Sequence, residues 1–168
     1  TEDIGDTSAG VKGTTAVGNS STAQIRFLED TYTFDTGATT FTTAAGDKIV
    51  LEKGATTTFT TDATNITFSG GAIKLNNDSH LVIDTGSGNG NITLGEIAGT
   101  TVETVTIDAG AGTTSVGVIG TGTEIGVLQI GSAQNGAITL NGAITTDGAV
   151  TIDGPVTLAT GAVSVTTA

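Results

Sequence analysis

The sequence predicts an all-β protein, a single parallel β-solenoid of roughly seven coils with an irregular N-terminal arm or cap. Two repeats and the composition support this fold. The closing stretch repeats a short aliphatic–hydroxyl–aliphatic unit, and a longer repeat precedes it. The 168 residues include 26 glycines, which disfavour helices, and too few charged residues for a typical disordered tail.

The short unit is clearest in residues 136–168, which read GAITLN, GAITTD, GAVTID, GPVTLAT and GAVSVTTA. After an opening Gly, aliphatic and hydroxyl side chains alternate, as in Val150, Thr151 and Ile152. Alternation with a period of two predicts a strand with one buried face, and Gly suits the corner between strands. Such short strands bury that face when coils stack, so the unit favours a solenoid.

A longer repeat gives the number of residues in one coil of the predicted solenoid. The segment LVID at residues 81–84 aligns with VTID at 105–108, an offset of 24. Leu94 aligns with Val116 at an offset of 22, and Ile107 with Ile130 at 23. These offsets predict coils of three or four short strands, and in the middle of the chain we expect strands at residues 48–52, 56–60, 65–68, 72–75, 80–84 and 91–94.

The composition changes along the chain and suggests three segments. Residues 1–23 show no period and are expected to be a flexible or strand-donating arm. Residues 24–46 contain aromatic side chains and are expected to form a cap-like segment. Residues 47–168 are predicted to be the solenoid, with the single proline, Pro155, at a corner where its missing N–H breaks no ladder.

Charge and composition restrict the partners. The formal net charge is -12, and all five basic residues lie within the first 74 positions. Nucleic acids and anionic membranes are therefore poor partners, because binding phosphate requires Lys or Arg. No apolar run approaches the roughly 20 residues of a membrane span, so we expect no membrane insertion. The chain has no Cys and does not begin with Met, and we expect a processed or excised segment.

The repeats resemble those of a known group of proteins. GNITLGEI, VETVTIDAGAG and the closing units look like the β-strand repeats of bacterial surface and secreted proteins, including autotransporter passengers and filamentous-haemagglutinin-like adhesins. The resemblance covers about residues 65–168. It implies a parallel β-solenoid and an extracellular or bacterial cell-surface location, and it transfers no binding residue, because members of the group adhere, form fibres or act as stalks.

Acidic residues at strand ends are the candidates for metal binding. Carboxylates stacked at similar corners could supply oxygen ligands for Ca²⁺. The alternative is that each Asp accepts a hydrogen bond within its own turn, and the calcium-binding nonapeptide pattern is absent. We therefore expect no cofactor, with Ca²⁺ as a minor hypothesis. The residues concerned are Asp84, Asp108, Asp147 and Asp153.

Two features of the sequence suggest an enzymatic or an ice-binding role, and each has a simpler structural interpretation. His80 could act as a general base, as in hexapeptide acyltransferases. In that family, however, a small residue follows the main aliphatic residue of each six-residue unit, whereas here Thr follows it. The regular half lacks Lys, Arg and aromatic residues, so catalysis there is not expected. The repeated Thr residues evoke ice-binding solenoids, but one hydroxyl per unit spread over several faces is typical of solvent-exposed strands.

The final repeats have no recognisable cap, and this leads to the functional hypothesis. We expect either a longer solenoid or a second subunit at that end. The favoured hypothesis is a non-enzymatic structural protein that assembles head to tail with itself into a cell-surface or biofilm-matrix filament. The alternative is a monomeric adhesin passenger or stalk that binds a cell-surface or glycan ligand. The predicted assembly residues are Ile25, Phe27, Tyr32, Phe34, Phe41, Val163 and Val165.

Overall fold

The computed structural model of the chain describes residues 15–18, 24–34, 37–100, 102–132, 136–159, 161 and 163–168. The described residues are all β, without a helix. In chain order the strands are β1 (Thr15–Gly18), β2 (Ile25–Phe27), β3 (Thr31–Phe34), β4 (Thr39–Thr43), β5 (Asp47–Leu51), β6 (Thr56–Thr61), β7 (Ile66–Ser69), β8 (Ala72–Leu75), β9 (His80–Asp84), β10 (Ile92–Leu94), β11 (Ile97–Ala98), β12 (Thr104–Asp108), β13 (Thr114–Val116), β14 (Val127–Ile130), β15 (Ile138–Leu140), β16 (Ile144–Thr146), β17 (Val150–Ile152), β18 (Val156–Leu158) and β19 (Val165–Thr167).

Successive strands lie on three sides of a coil. Sheet A has the order β1-β4-β7-β10-β13-β15-β18, and sheet C has the order β3-β6-β9-β12-β14-β17. Sheet B comprises β2-β5-β8-β11 and β16-β19, which isolated bridges through Ile119 connect. All pairings are parallel, so the described chain is a parallel β-solenoid of about six turns. The prediction of roughly seven coils counted all 168 residues, whereas residues 1–14 lie outside the described part of the chain. Six turns separate Thr15 from Thr157 along sheet A, so the mean length of a turn is close to the predicted repeat, although single offsets range from 27 between Thr39 and Ile66 to 18 between Ile138 and Val156.

The strand register confirms the longer repeat. Ile83 pairs with Ile107, and Ile107 with Ile130, at the predicted offsets of 24 and 23. Leu94 pairs with Val116 at the predicted offset of 22. The six strands predicted in the middle of the chain are all present, each end within one residue of its predicted position. A mismatch of one residue would turn the aliphatic side chains outward, so register is strongly specified here.

The closing short units are successive sides of one coil. β15, β16 and β17 lie in sheets A, B and C, and Ile138 then pairs with Val156, an offset of 18. Pro155 lies at the predicted corner, directly before β18, and its carbonyl accepts the N–H of Ile138 in the neighbouring coil at 2.8 Å. The alternation in the unit GAVSVTTA predicts a strand at residues 163–165, but this prediction is wrong by two positions: the strand begins at Val165, which pairs with Ile144. Six residues separate Leu158 from Val165, whereas three separate each of the preceding strands from β15 to β18.

The interior changes from aromatic to aliphatic along the axis. Near the N-terminal end the rings pack on one another; Phe41 and Phe68, for example, have ring centroids 4.9 Å apart. The Tyr32 hydroxyl accepts the backbone N–H groups of Leu28 and Glu29 at 2.9 and 3.0 Å. Farther along, Ile, Leu and Val fill the interior. The buried aromatic side chains are Phe27, Tyr32, Phe34, Phe41, Phe59 and Phe68.

The segments proposed from composition are placed as follows. Residues 1–14 and 19–23 of the predicted arm lie outside the described residues, and Thr15–Gly18 form β1, paired with β4. The predicted cap-like segment, residues 24–46, contributes β2, β3 and β4 to the same three sheets as the later strands. In the described part of the chain, no helix has the length and apolarity for crossing a membrane.

Candidate assembly face at the end of the solenoid

The last described coil exposes aliphatic side chains at positions that are buried in the coil before it. Val156 is 46% exposed, Leu158 59% and Val165 48%, although their register partners Ile138, Leu140 and Ile144 are buried. The difference arises because each interior side chain is covered by the next coil, and no described coil follows this one. We call this surface the end face, formed by Val150, Ile152, Val156, Leu158, Val163 and Val165, of which Val150, Ile152 and Val163 are partly buried.

Free strand edges surround the end face. β18, β19 and β17 are the last strands of sheets A, B and C among the described residues, so each has neighbouring strands on one side only. An edge strand presents unpaired N–H and C=O groups, which are a template for another parallel strand. Apolar side chains inside three templating edges are suited to receiving another coil.

The formal charges around the end face are all acidic. Asp147 follows β16 and Asp153 follows β17, and no Lys or Arg occurs after position 74. The two Asp backbone N–H groups donate to the carbonyls of Ile125 and Ile130 in the preceding coil. Charge therefore lies at the corners, and the middle of the end face is apolar.

The predicted assembly residues fall at opposite ends of the solenoid. Val165 is exposed in the end face and Val163 is partly buried beside it. Five predicted residues from the N-terminal part are instead buried in the core, where they contact one another and later rings. These five are Ile25, Phe27, Tyr32, Phe34 and Phe41. In this conformation they support the N-terminal coils from inside and do not present a surface.

Val156 and Leu158 were not among the predicted assembly residues, although they are the exposed aliphatic pair of β18. Their unit, GPVTLAT, has the same pattern as units whose aliphatic residues are buried. The signal that could have identified Val156 and Leu158 is their alignment with Ile138 and Leu140, their register partners in the preceding coil.

The acidic corner residues behave largely as turn residues. The Asp84 carboxylate accepts the N–H of Gly86 at 2.7 Å, and Asp108 accepts that of Gly110 at 2.9 Å. This is the Asx-turn alternative predicted for them. Asp84 and Asp108 pair in register, and Ser132 also donates a hydrogen bond to Asp108.

The other two candidates for a metal site, Asp147 and Asp153, follow different strands and lie at separate corners. Asp153 is separated from Asp108 by the intervening coil, in which Ile130 pairs with both Ile107 and Ile152. The structure thus brings together two of the four candidates. Among the described residues, no group of three or more His, Asp or Glu side chains is placed to hold a metal ion.

His80 has a structural contact. Its Nδ1 accepts the backbone N–H of Thr104 in the next coil at 2.8 Å. The imidazole is half-buried at the start of β9 and links two neighbouring strands of sheet C. This agrees with the interpretation of His80 as a strand histidine.

Glu103 is a buried carboxylate that the sequence did not single out. It is fully buried at the corner between β11 and β12. Burial raises the pKa of this carboxyl, but hydrogen bonds from the Thr100 hydroxyl and from backbone N–H groups of the same corner outweigh it. The pKa therefore lies below the ordinary value of 4.5. A Cβ at Gly99 would lie 2.7 Å from Oε2 of Glu103, so glycine leaves room for the buried carboxylate. The carboxylate in turn accepts the hydroxyl of Thr100 and so links two residues of this corner.

The outer face of sheet A carries a column of hydroxyls from Thr40 to Thr157. Thr139, Thr145 and Thr151 lie on sheets A, B and C, as the sequence predicted. In sheet A the hydroxyls of successive coils stack on one another, whereas in sheet C Thr151 pairs with Gln129. Two positions further along, the middle coils have Gly95 and Gly117, so a second hydroxyl column is interrupted. The column consists of Thr40, Thr67, Thr93, Ser115, Thr139 and Thr157.

An open depression lies where sheet B is interrupted. It has a volume of about 400 Å³ and is lined by Gly120, Gly122, Thr123, Glu124 and Thr145. Among the described residues that line it, Glu124 is the one ionisable side chain.

Comparisons of the chain with protein-family models, curated proteins and solved structures find no match. Within the described part of the chain, the end face groups exposed aliphatic side chains at positions that stacking buries in the preceding coil.

Proposed function

We propose that this protein is a non-enzymatic extracellular structural protein that assembles head to tail with itself into a cell-surface or biofilm-matrix filament. The observation that carries the proposal is the exposure of Val156, Leu158 and Val165 at positions whose register partners are buried. The extracellular setting rests on the resemblance of the repeats to bacterial surface proteins.

Burial of the end face supplies the driving force. Covering a Val or Leu side chain stabilises an assembly by about 1.5–3 kcal/mol relative to leaving it exposed. The three free sheet edges of the described strands add backbone hydrogen bonds, and a partner that continues the parallel sheets presents its head to the tail of this copy. An interface between the tail of one copy and the head of the next is heterologous, and such an interface propagates into a filament when it does not close into a ring.

Point charges on the end face test the proposal. Val156→Asp places a carboxylate in the interface, whereas Val127→Asp adds the same charge at the start of β14, where Val127 is similarly exposed, at 41% against 46%. Negative-stain electron microscopy and light scattering of the 168-residue chain should show filaments for the unchanged protein and for Val127→Asp, and short rods for Val156→Asp. Monomeric rods for the unchanged chain at all concentrations and salt conditions would contradict the proposal.

A second candidate function is a monomeric adhesin passenger or stalk. The hydroxyl column of sheet A favours it, because a flat row of hydroxyls spaced by about 4.8 Å could hydrogen-bond a glycan or another cell-surface ligand. The two functions differ in solution: the adhesin stays monomeric at high concentration and shows saturable ligand binding. Replacing Thr93 and Thr139 by Val would weaken such binding, and the protein would stay monomeric.

A further inference from the structure

A buried carboxylate oxygen without a hydrogen-bond partner lies at the corner between β11 and β12. Glu103 is 0% exposed, and its Oε1 accepts the hydroxyl of Thr100. Its Oε2 has no hydrogen-bond partner in the described part of the chain. Leaving a charged oxygen buried and unpaired is costly, so native structures satisfy such an atom with a protein group, a water molecule or an ion.

A second oxygen lies beside the same point. A Cβ at Gly99 would be 2.7 Å from Oε2 of Glu103 and 3.1 Å from the backbone carbonyl oxygen of Glu124. Because Gly99 has no side chain, the two oxygens border a space that a larger residue would fill. Neither an ionised carboxylate nor a carbonyl can donate a hydrogen bond. A group that joins the two oxygens is therefore either a donor or a cation.

Glu124 connects this corner to the surface, because it also lines the open depression at the interruption of sheet B. The carboxylate of Glu103 is not neutralised by a basic side chain among the described residues, where the ion pairs involve Arg26 and Lys53. Lys74 lies in β8, next to β11, and no Lys or Arg follows it in the sequence. The charge of the buried carboxylate thus favours a cation from solution.

We propose that this corner binds one Ca²⁺ ion through Oε2 of Glu103 and the backbone carbonyl oxygen of Glu124, with water molecules as the remaining ligands. Ca²⁺ accepts carboxylate and carbonyl oxygens in a flexible arrangement of about six to eight ligands, whereas Mg²⁺ demands a nearly ideal octahedron. A single carboxylate ligand predicts weak binding, with a Kd of about 10⁻⁴–10⁻³ M. The site is distinct from the four Asp residues at the strand ends.

The two protein ligands belong to successive coils. Glu103 precedes β12 and Glu124 precedes β14, and these two strands pair in sheet C. The ion links the two corners at the place where isolated bridges replace a strand of sheet B. Ca²⁺ is therefore expected to stabilise the single chain, and this effect does not depend on filament formation.

Thermal unfolding tests the site. The unchanged protein is freed of metal with a chelator and melted at constant ionic strength with and without Ca²⁺. At about 10 mM Ca²⁺ we expect the equilibrium constant of unfolding to fall roughly tenfold to hundredfold, which raises the melting temperature. Glu103→Gln, whose neutral amide has the same size and still accepts the Thr100 hydroxyl, should lose this rise. The matched control, Asp62→Asn, removes the same charge from the exposed corner between β6 and β7 and should keep it.

Three results of the melting experiment would overturn the inference. They are no rise for the unchanged protein, the same rise for Glu103→Gln as for Asp62→Asn, and an equal rise with Mg²⁺, which would indicate general screening of charge. If circular dichroism shows that Glu103→Gln does not fold, the amide NMR spectrum of the unchanged protein decides. Ca²⁺ should then shift the signals of Thr100 and Ile125 and leave that of Asp62 in place, whereas equal shifts at all three would overturn the inference. None of these results bears on filament formation, so the proposed function stands or fails separately.

Discussion

Leu140 and Leu158 pair in register in neighbouring strands of sheet A, yet Leu140 is 2% exposed and Leu158 is 59% exposed. Their local sequences, ITLNG and VTLAT, have the same alternation. What differs is the coil on the far side: β18 covers Leu140, and no described strand covers Leu158. The repeat pattern therefore decides which side chains face inward, and the next coil decides whether an inward-facing side chain is buried.

The pair predicts different effects of truncation in the monomer. Leu140→Ala should reduce the free energy of unfolding by about 2–5 kcal/mol, because it leaves a cavity between two coils. Leu158→Ala should cost less than about 1 kcal/mol, because its side chain already contacts water. Urea unfolding under conditions that keep the protein monomeric measures both. Similar losses for the two variants would mean that Leu158 is covered in the monomer.

Glu103 predicts a dependence of stability on pH. Because its pKa in the folded protein lies below the ordinary value, the carboxylate stabilises the fold at pH values above the unfolded pKa. This contribution is lost as the pH falls through the folded pKa. The melting temperature of the unchanged protein should therefore fall toward low pH, and the difference from Glu103→Gln should be largest near neutral pH. A pH-independent difference between the two proteins would contradict this assignment.

Gly136 lies at a corner where the backbone of the preceding coil leaves no room for a side chain. A Cβ at this position would lie 1.6 Å from the carbonyl oxygen of Gly112 in the preceding coil, so Gly136→Ala forces the two coils apart. We expect a loss of about 1–3 kcal/mol by thermal or urea unfolding. Gly95→Ala is the control, because its Cβ would meet Phe68 at an ordinary 3.7 Å. An equal loss for the control would show that backbone entropy, and not the close approach, decides the effect.

The net charge of -12 predicts that salt promotes assembly. Copies of a strongly acidic protein repel one another, and the repulsion between exposed charges is screened when the Debye length falls from about 30 Å at 0.01 M to about 8 Å at 0.15 M salt. Filament formation, followed by light scattering, should therefore be faster and occur at lower protein concentration at the higher of these salt concentrations. Slower assembly there would indicate that attraction between charges drives the contact.

The strands and their offsets were predictable because each rests on a local signal. Alternation at His80–Asp84 and Thr104–Asp108 predicts two strands, and their similarity predicts that they stack, as they do. Glu103 was not predictable in the same way. Its burial depends on Gly99 and on hydrogen bonds within a corner that has no repeat, and a single acidic residue in a polar loop carries no such signal.

For the aromatic residues, too, the strands were predictable from local sequence, whereas the contacts of the side chains were not. Their spacing at Ile25 and Phe27, and at Tyr32 and Phe34, predicts strands, and both strands are present. Whether those side chains face a second copy or their own core depends on which coils lie against them, and the structure buries them among later rings such as Phe59. The same spacing is compatible with either outcome, so the sequence could not choose between them.

By itself, the sequence determined the strands in the middle of the chain, the parallel solenoid and the offsets of 22 to 24 between those strands, because a period of two separates an inner from an outer face within a few residues. The tertiary structure decided which side each unit occupies and which of its aliphatic residues are covered. Burial in a solenoid is provided by the neighbouring coil, which is distant in the sequence, as in the pairs Ile138–Val156 and Thr39–Ile66. Two units with the same pattern therefore differ in exposure according to what is stacked on them.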